Sequence, residues 1–156
     1  MTHEQRQIVD YLGQYRLSKY KEYLILLEIT DVRTTQASAQ SPRIDGLQQG
    51  YGGHSNLSGY GARLGDIIAD LERQAEETAE KLREVVAVIE AVDHPRQRMI
   101  LQARYIYGRT MEQIAEDLDI SPRYAQILHK AGIDAILRSG VLPGNIKSRE
   151  KECQIC

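Results

Sequence analysis

Residues 108–137, GRTMEQIAEDLDISPRYAQILHKAGIDAIL, decide the fold, because their apolar positions suit two short helices crossing steeply around a tight turn. Met111, Ile114, Ala115, Leu118, Ile120, Ala125 and Leu128 have the spacing that such packing needs. Ala115 is small enough to let the second helix approach, while Leu118, Ile120 and Leu128 fill the angle between the two. The spacing predicts a helix-turn-helix.

The punctuation agrees with the periodicity. Gly108 is suited to ending a preceding helix in the left-handed conformation, and Thr110 followed by Gln113 forms a capping box. Ser121 is a good N-cap, and Pro122 fits a first helical position, where its missing amide would have had no partner. At the turn, where such motifs often carry glycine, stands Asp119, one of the few other residues tolerated at positive φ.

Toward the N-terminus, Val92-Asp93-His94-Pro95 reads as a junction, with Asp93 expected to cap a helix beginning near Pro95. Met99, Ile100, Leu101, Ala103, Tyr105 and Ile106 supply that helix with a buried side, which completes a three-helix unit over 94–138. Further upstream, Leu64, Ile68, Leu71, Ala75, Thr78, Leu82, Val85, Ile89 and Val92 follow alternating steps of four and three, a heptad seam. Acidic residues such as Glu72, Glu76, Glu77 and Glu80 solvate the outside of this helix. Its expected partner lies in residues 4–36, where Ile8, Leu12, Tyr15, Tyr20, Tyr23, Leu24 and Leu27 form a second stripe.

The expected architecture is therefore all-α. A helical hairpin or coiled coil over 1–92, with a Gly-rich loop at 37–61, precedes the helix-turn-helix module at 94–138 and a flexible tail at 139–156. The loop holds Ser41-Pro42 and six glycines, so no helix is expected across it. It lacks the Gly-Lys-Ser/Thr of a phosphate cradle. Asn56-Leu57-Ser58 matches a glycosylation sequon that a cytoplasmic chain would never present to the transferase.

Composition excludes several classes. The 156-residue chain has neither Phe nor Trp, so its core must be built of Leu, Ile, Val and Tyr. No apolar run reaches the length of a membrane span, and MTHEQRQ does not read as a secretory signal, so a cytoplasmic location is expected. The net charge of −2 conceals an asymmetry: residues 1–93 carry 10 basic against 15 acidic side chains, residues 94–151 carry 10 against 6. Positive charge is thus concentrated on the half that holds the candidate reading module, as attraction to phosphates requires.

The segment HPRQRMILQARYIYGRTMEQIAEDLDISPRYAQILHKAGIDAIL resembles region 4 of bacterial sigma factors and the related response-regulator-type helix-turn-helix, most clearly over RYIYGRTMEQIAEDLDIS. The whole chain is similar to small phage- and prophage-encoded regulators, a family long of unknown function, that place a helical hairpin before this module. Their hairpin loop often carries a Ser-Pro-x-x-Asp-Gly sequence, which stands here as Ser41-Pro42-Arg43-Ile44-Asp45-Gly46. The resemblance implies control of transcription in a bacterial host cell, on nucleoid DNA, of late genes for packaging, assembly or lysis. No segment resembles the part of a sigma factor that binds the −10 element, so the resemblance points to an activator or accessory factor.

In a helix-turn-helix, the second helix enters the major groove with its N-terminal residues nearest the bases. Pro122, Arg123, Gln126 and Ile127 are accordingly the expected base-reading residues. Arg123 is suited to guanine O6 and N7, Gln126 to adenine N6 and N7, and Ile127 to a thymine methyl group or a protein contact. Arg109, Thr110, Ser121, His129 and Lys130 are the expected phosphate contacts. The partners so predicted are double-stranded DNA, RNA polymerase and a second copy of the chain, since one module of this size makes few base contacts. No small-molecule substrate is expected.

Catalysis and metal binding find no pattern. Cys153-x-x-Cys156 supplies half of a tetrahedral zinc site, and His3, His54, His94 and His129 show no ligand spacing with it. With no nucleophile elbow and no paired-histidine helix, a non-enzyme without cofactor is predicted. Two other classes stay open: a coiled-coil protein that binds polymerase or another factor without reading DNA, and a DNA-recognition subunit of phage packaging.

Overall fold

The computed structural model describes residues 1–39 and 55–141, and these are helical without a strand. Five helices follow in order: α1 (His3–Ala39), α2 (Ser55–Glu90), α3 (Pro95–Tyr105), α4 (Met111–Asp117) and α5 (Pro122–Ser139). The Ser41–Gly46 sequence, most of the expected loop, and the Cys153/Cys156 tail lie outside the described residues.

The chain packs as two units, one of Met1–Leu17 with Ala79 onward and one of Ser18–Thr78. The first unit takes in the start of α1, the end of α2 and the whole α3–α5 region. Its core joins Ile8 and Leu12 of α1, Val85, Val88, Ile89 and Val92 next to α3, Leu101 and Tyr105 of α3, and Ile133 and Ile136 of α5. Eight of these ten are at most 1% exposed, and Ile8, Leu12, Ile133 and Ile136 are fully buried. Polar contacts register the same helices: Tyr11 and Gln14 each donate to Glu84 at 3.4 Å, and Gln5 Nε2 donates to Asp134 Oδ1 at 2.5 Å. α3 and α5 use residues from the ends of the long helices as one wall of their core.

In the second unit, α1 and α2 run antiparallel. Ser18 Oγ and Thr78 Oγ1 share a buried hydrogen bond of 3.0 Å, Gln74 donates to Ser18 at 2.8 Å, and Arg63 lies 3.9 Å from Glu28. Ile29 and Ile67 are buried there, Leu64, Ile68 and Leu71 are half-buried, and Ala75 is exposed. In the first unit Leu82 is half-buried, whereas Val85, Ile89 and Val92 are buried together with Val88.

The stripe on α1, the Gly-rich segment and the cap of α3 differ from expectation. On α1, Ile8, Leu12 and Tyr15 pack inward, but Tyr20, Tyr23, Leu24 and Leu27 are exposed, and Ser18, Ile25, Ile29 and Val32 take the inner positions. A buried Ser18 satisfied by Thr78 and Gln74 lets a polar residue hold the seam while larger apolar side chains stay outside. The Gly-rich segment is also more helical than expected, since α2 already begins at Ser55 and runs through Gly59 and Gly61, and α1 reaches Ala39. Each glycine costs a helix only about 1 kcal/mol relative to Ala, which the rest of a long helix outweighs.

Asp93 does not cap α3. His94 is the N-cap, in extended conformation and without a side-chain bond, because Pro95 is itself the first helical residue and forces its neighbour out of the α region. The junction is held instead by Arg98, whose Nε donates to the Val92 carbonyl at 3.0 Å.

Candidate nucleic-acid interface

Three short elements build the site. α3 ends at Tyr105, and Gly108 adopts φ +71°, turning the chain so that the Arg109 amide donates to the Ala103 carbonyl at 3.0 Å. Thr110 then starts α4 with a complete capping box: its Oγ1 accepts from the Gln113 amide at 3.3 Å, and its own amide donates to Gln113 Oε1 at 3.0 Å. Asp119 takes φ +52° in the turn, and the Ile120 amide donates to the Ala115 carbonyl at 2.9 Å. Ser121 Oγ accepts from the Tyr124 amide at 3.2 Å at the start of α5, with Pro122 in the first turn.

Between these elements Ile100, Ile114 and Leu128 form a small buried cluster, edged by Ala103, Met111, Leu118 and Ile120. Ala115 and Ala125 are buried at 1% and 0% exposure, where the helices approach. α3 and α5 approach closely at Gly132: a β-carbon there would lie 3.0 Å from Leu101 Cδ1. This packing rotates α5 so that Pro122, Arg123, Gln126, Ile127 and Lys130 lie along its exposed side. Their spacing puts them on one helical face, opposite Ala125, Leu128, Ile133 and Ile136. Ile127 is 55% exposed in the middle of that face, a prominent apolar side chain among polar ones.

The expected phosphate contacts fall into two groups. Lys130 is exposed, whereas Thr110 and Ser121 spend their hydroxyls on caps. Arg109 forms a two-pronged pair with Asp117, with Nη2 at 2.7 Å and Nε at 3.2 Å from Oδ2. An exposed pair of this kind contributes about 0–1 kcal/mol, so a phosphate can compete for Arg109.

His129 is half-buried rather than a free surface residue: its Nε2 lies 2.9 Å from the Tyr105 hydroxyl, with the rings stacked at 5.7 Å. Burial, and then the positive charge of Arg104, hold its imidazole below the usual value. Burial pushes the Tyr105 phenol up to about 12, so it remains the donor to a neutral His129. A neutral imidazole adds no Coulombic attraction to a phosphate.

The pH consequence has a definite sign. Because the folded state disfavours the charged imidazole, the unfolded chain binds the proton first. The contribution is fully present above the unfolded value of about 6.5 and is lost as pH falls through the lower folded value. Urea unfolding measured from neutral to mildly acid pH is expected to show a steeper loss for the wild type than for His129→Gln. Parallel profiles would contradict this account.

Sequence reasoning missed two groups here. Arg104 donates from Nη1 to the Arg109 carbonyl at 3.1 Å, and the Arg16 guanidinium of α1 lies directly over Gly108. The position of Arg104 in the last turn of α3 was a usable local signal; nothing local connects Arg16 to a residue so far along the chain. Gly108→Ala is expected to cost about 1–2 kcal/mol for the left-handed backbone alone and more for displacing Arg16. In chemical denaturation an Arg16→Ala background should recover only the second part; full recovery would mean that backbone strain contributes nothing.

No helix among the described residues is long and apolar enough to cross a membrane. Positive charge on the module itself is modest, since residues 94–138 hold seven basic against five acidic side chains. No curated protein and no solved structure matches the chain. The family model described as Sigma-70, region 4 matches residues 94–136, somewhat more than a quarter of the sequence. The segment that carries the capped turn and the exposed face of α5 is therefore a sigma region 4-like helix-turn-helix, a DNA-binding type of module and not a catalytic one.

Proposed function

We propose that the chain is a sequence-specific transcriptional regulator that reads double-stranded DNA through α5, acting on phage or prophage genes as a late-operon activator or accessory factor. The observation that carries this reading is the exposed row of Arg123, Gln126 and Lys130 on the second helix of a region 4-like module. With α5 in the major groove, Arg123 and Gln126 are the base readers and Lys130 a phosphate contact. Arg109 joins it at the neighbouring backbone by exchanging Asp117 for phosphate. The phage assignment rests on the resemblance of the whole chain to prophage regulators, and contact with RNA polymerase on the kinship of the module.

A second reading draws on Ile127. An apolar side chain 55% exposed at the centre of the face suits contact with a protein, such as polymerase, as well as with a thymine methyl. Selection from a random duplex pool by the full chain separates the two. Convergence on one motif is expected; recovery of unenriched sequence would favour the protein-contact reading.

A further inference from the structure

Helix α1 has a second apolar side in the Ser18–Thr78 unit, turned away from Ser18 and Ile29. Tyr20, Tyr23, Leu24 and Leu27 are 58%, 52%, 46% and 46% exposed, and the rings of Tyr20 and Tyr23 stand 6.1 Å apart. A contiguous apolar strip on a solvated helix marks an interaction surface more readily than scattered exposed residues do. Tyr20, Leu24, Leu27 and Asp31 follow steps of four, three and four, the repeat of a helix that pairs with another helix.

We propose that this side of α1 docks a second copy of the chain, the two α1 helices running antiparallel about a two-fold axis near residue 25. The charges select that arrangement. In it Leu24 of each copy layers against Leu27 of the other, and Tyr20 meets Asp31, a phenol donor against a carboxylate. Lys21 comes beside Glu28 on the same flank, and symmetry makes each of these contacts twice. A parallel pair would set Asp31 against Asp31 and would put Lys21 of one copy and Glu28 of the other on opposite flanks, where they cannot pair. Sliding the antiparallel pair by one heptad would bring the two Lys21 side chains together in one direction and the two Glu28 side chains together in the other. Only one register is self-complementary. Glu28 is free to serve it, because its 3.9 Å contact to Arg63 joins two exposed groups.

With only Tyr20, Tyr23, Leu24 and Leu27 to bury in each copy, the dimer is expected to be weak, on the order of micromolar. It does not depend on the nucleic-acid reading, and it is measured without DNA. Sedimentation equilibrium of the full chain, from low to high micromolar concentration, is expected to show a monomer–dimer equilibrium. Lys21→Glu and Glu28→Lys should each weaken it by about tenfold or more, and Leu24→Asp should abolish it. Combining Lys21→Glu with Glu28→Lys should restore dimerisation, because the opposite charges only exchange places. Circular dichroism establishes that each variant keeps its helix content. A wild type that stays monomeric throughout, as it would if residues 40–54 or a different protein covered the strip, overturns the proposal. So does a dimer unmoved by the single charge changes, or a double swap that fails to restore association with the helices intact.

Discussion

Arg123→Ala combined with Gln126→Ala is expected to erase the preference of the chain for its selected DNA site while leaving the fold intact. Both side chains are exposed on α5, so stability has little reason to change. Each bidentate base contact is worth about 1–3 kcal/mol of discrimination, so the pair should cost about 2–6 kcal/mol at the selected site. Binding to scrambled duplex should fall far less, since only one positive charge is removed. Lys130→Ala supplies the contrast. As a phosphate contact it should weaken binding to selected and scrambled duplex alike and reduce the salt slope by about one. Fluorescence anisotropy on the two duplexes at two salt concentrations reads all three quantities. An Arg123/Gln126 variant that loses affinity equally for both duplexes would reduce these residues to backbone contacts.

A second large effect is expected far from α5 in sequence. Leu12→Ala should destabilise the module by about 2–5 kcal/mol, as removal of a fully buried leucine from a close-packed core does. Leu12 shares its core with Leu101, Tyr105, Ile133 and Ile136, so the cavity opens against the inner side of α5. Amide hydrogen exchange around Ile133 should accelerate accordingly, and Ile133→Ala should produce a similar loss from the other side of the contact. If residues 94–138 were a self-sufficient module, exchange there would be indifferent to Leu12→Ala, and that outcome would contradict the shared core.

The helix-turn-helix was legible because its signals are local. Thr110 with Gln113, Ser121 with Pro122, and Asp119 at positive φ are each read within four residues, and each has the expected geometry. Asp93 misled because it precedes a helix start, while the proline two residues later moves the cap to His94. α1 was harder to read. Its apolar residues surround much of the helix, so periodicity alone does not reveal that buried Ser18 faces inward while Leu24 faces out. The Tyr105–His129 pair and the seat of Arg16 over Gly108 depend on tertiary packing that no spacing rule encodes.

With the exposed side of α5 proposed as the DNA-reading surface, a nuclear magnetic resonance titration of the labelled full chain with the selected duplex should shift the amides of residues 121–130, with a second group near Arg109 and Thr110. Shifts confined to other surfaces, or none at concentrations where the duplex is bound, would contradict that proposal.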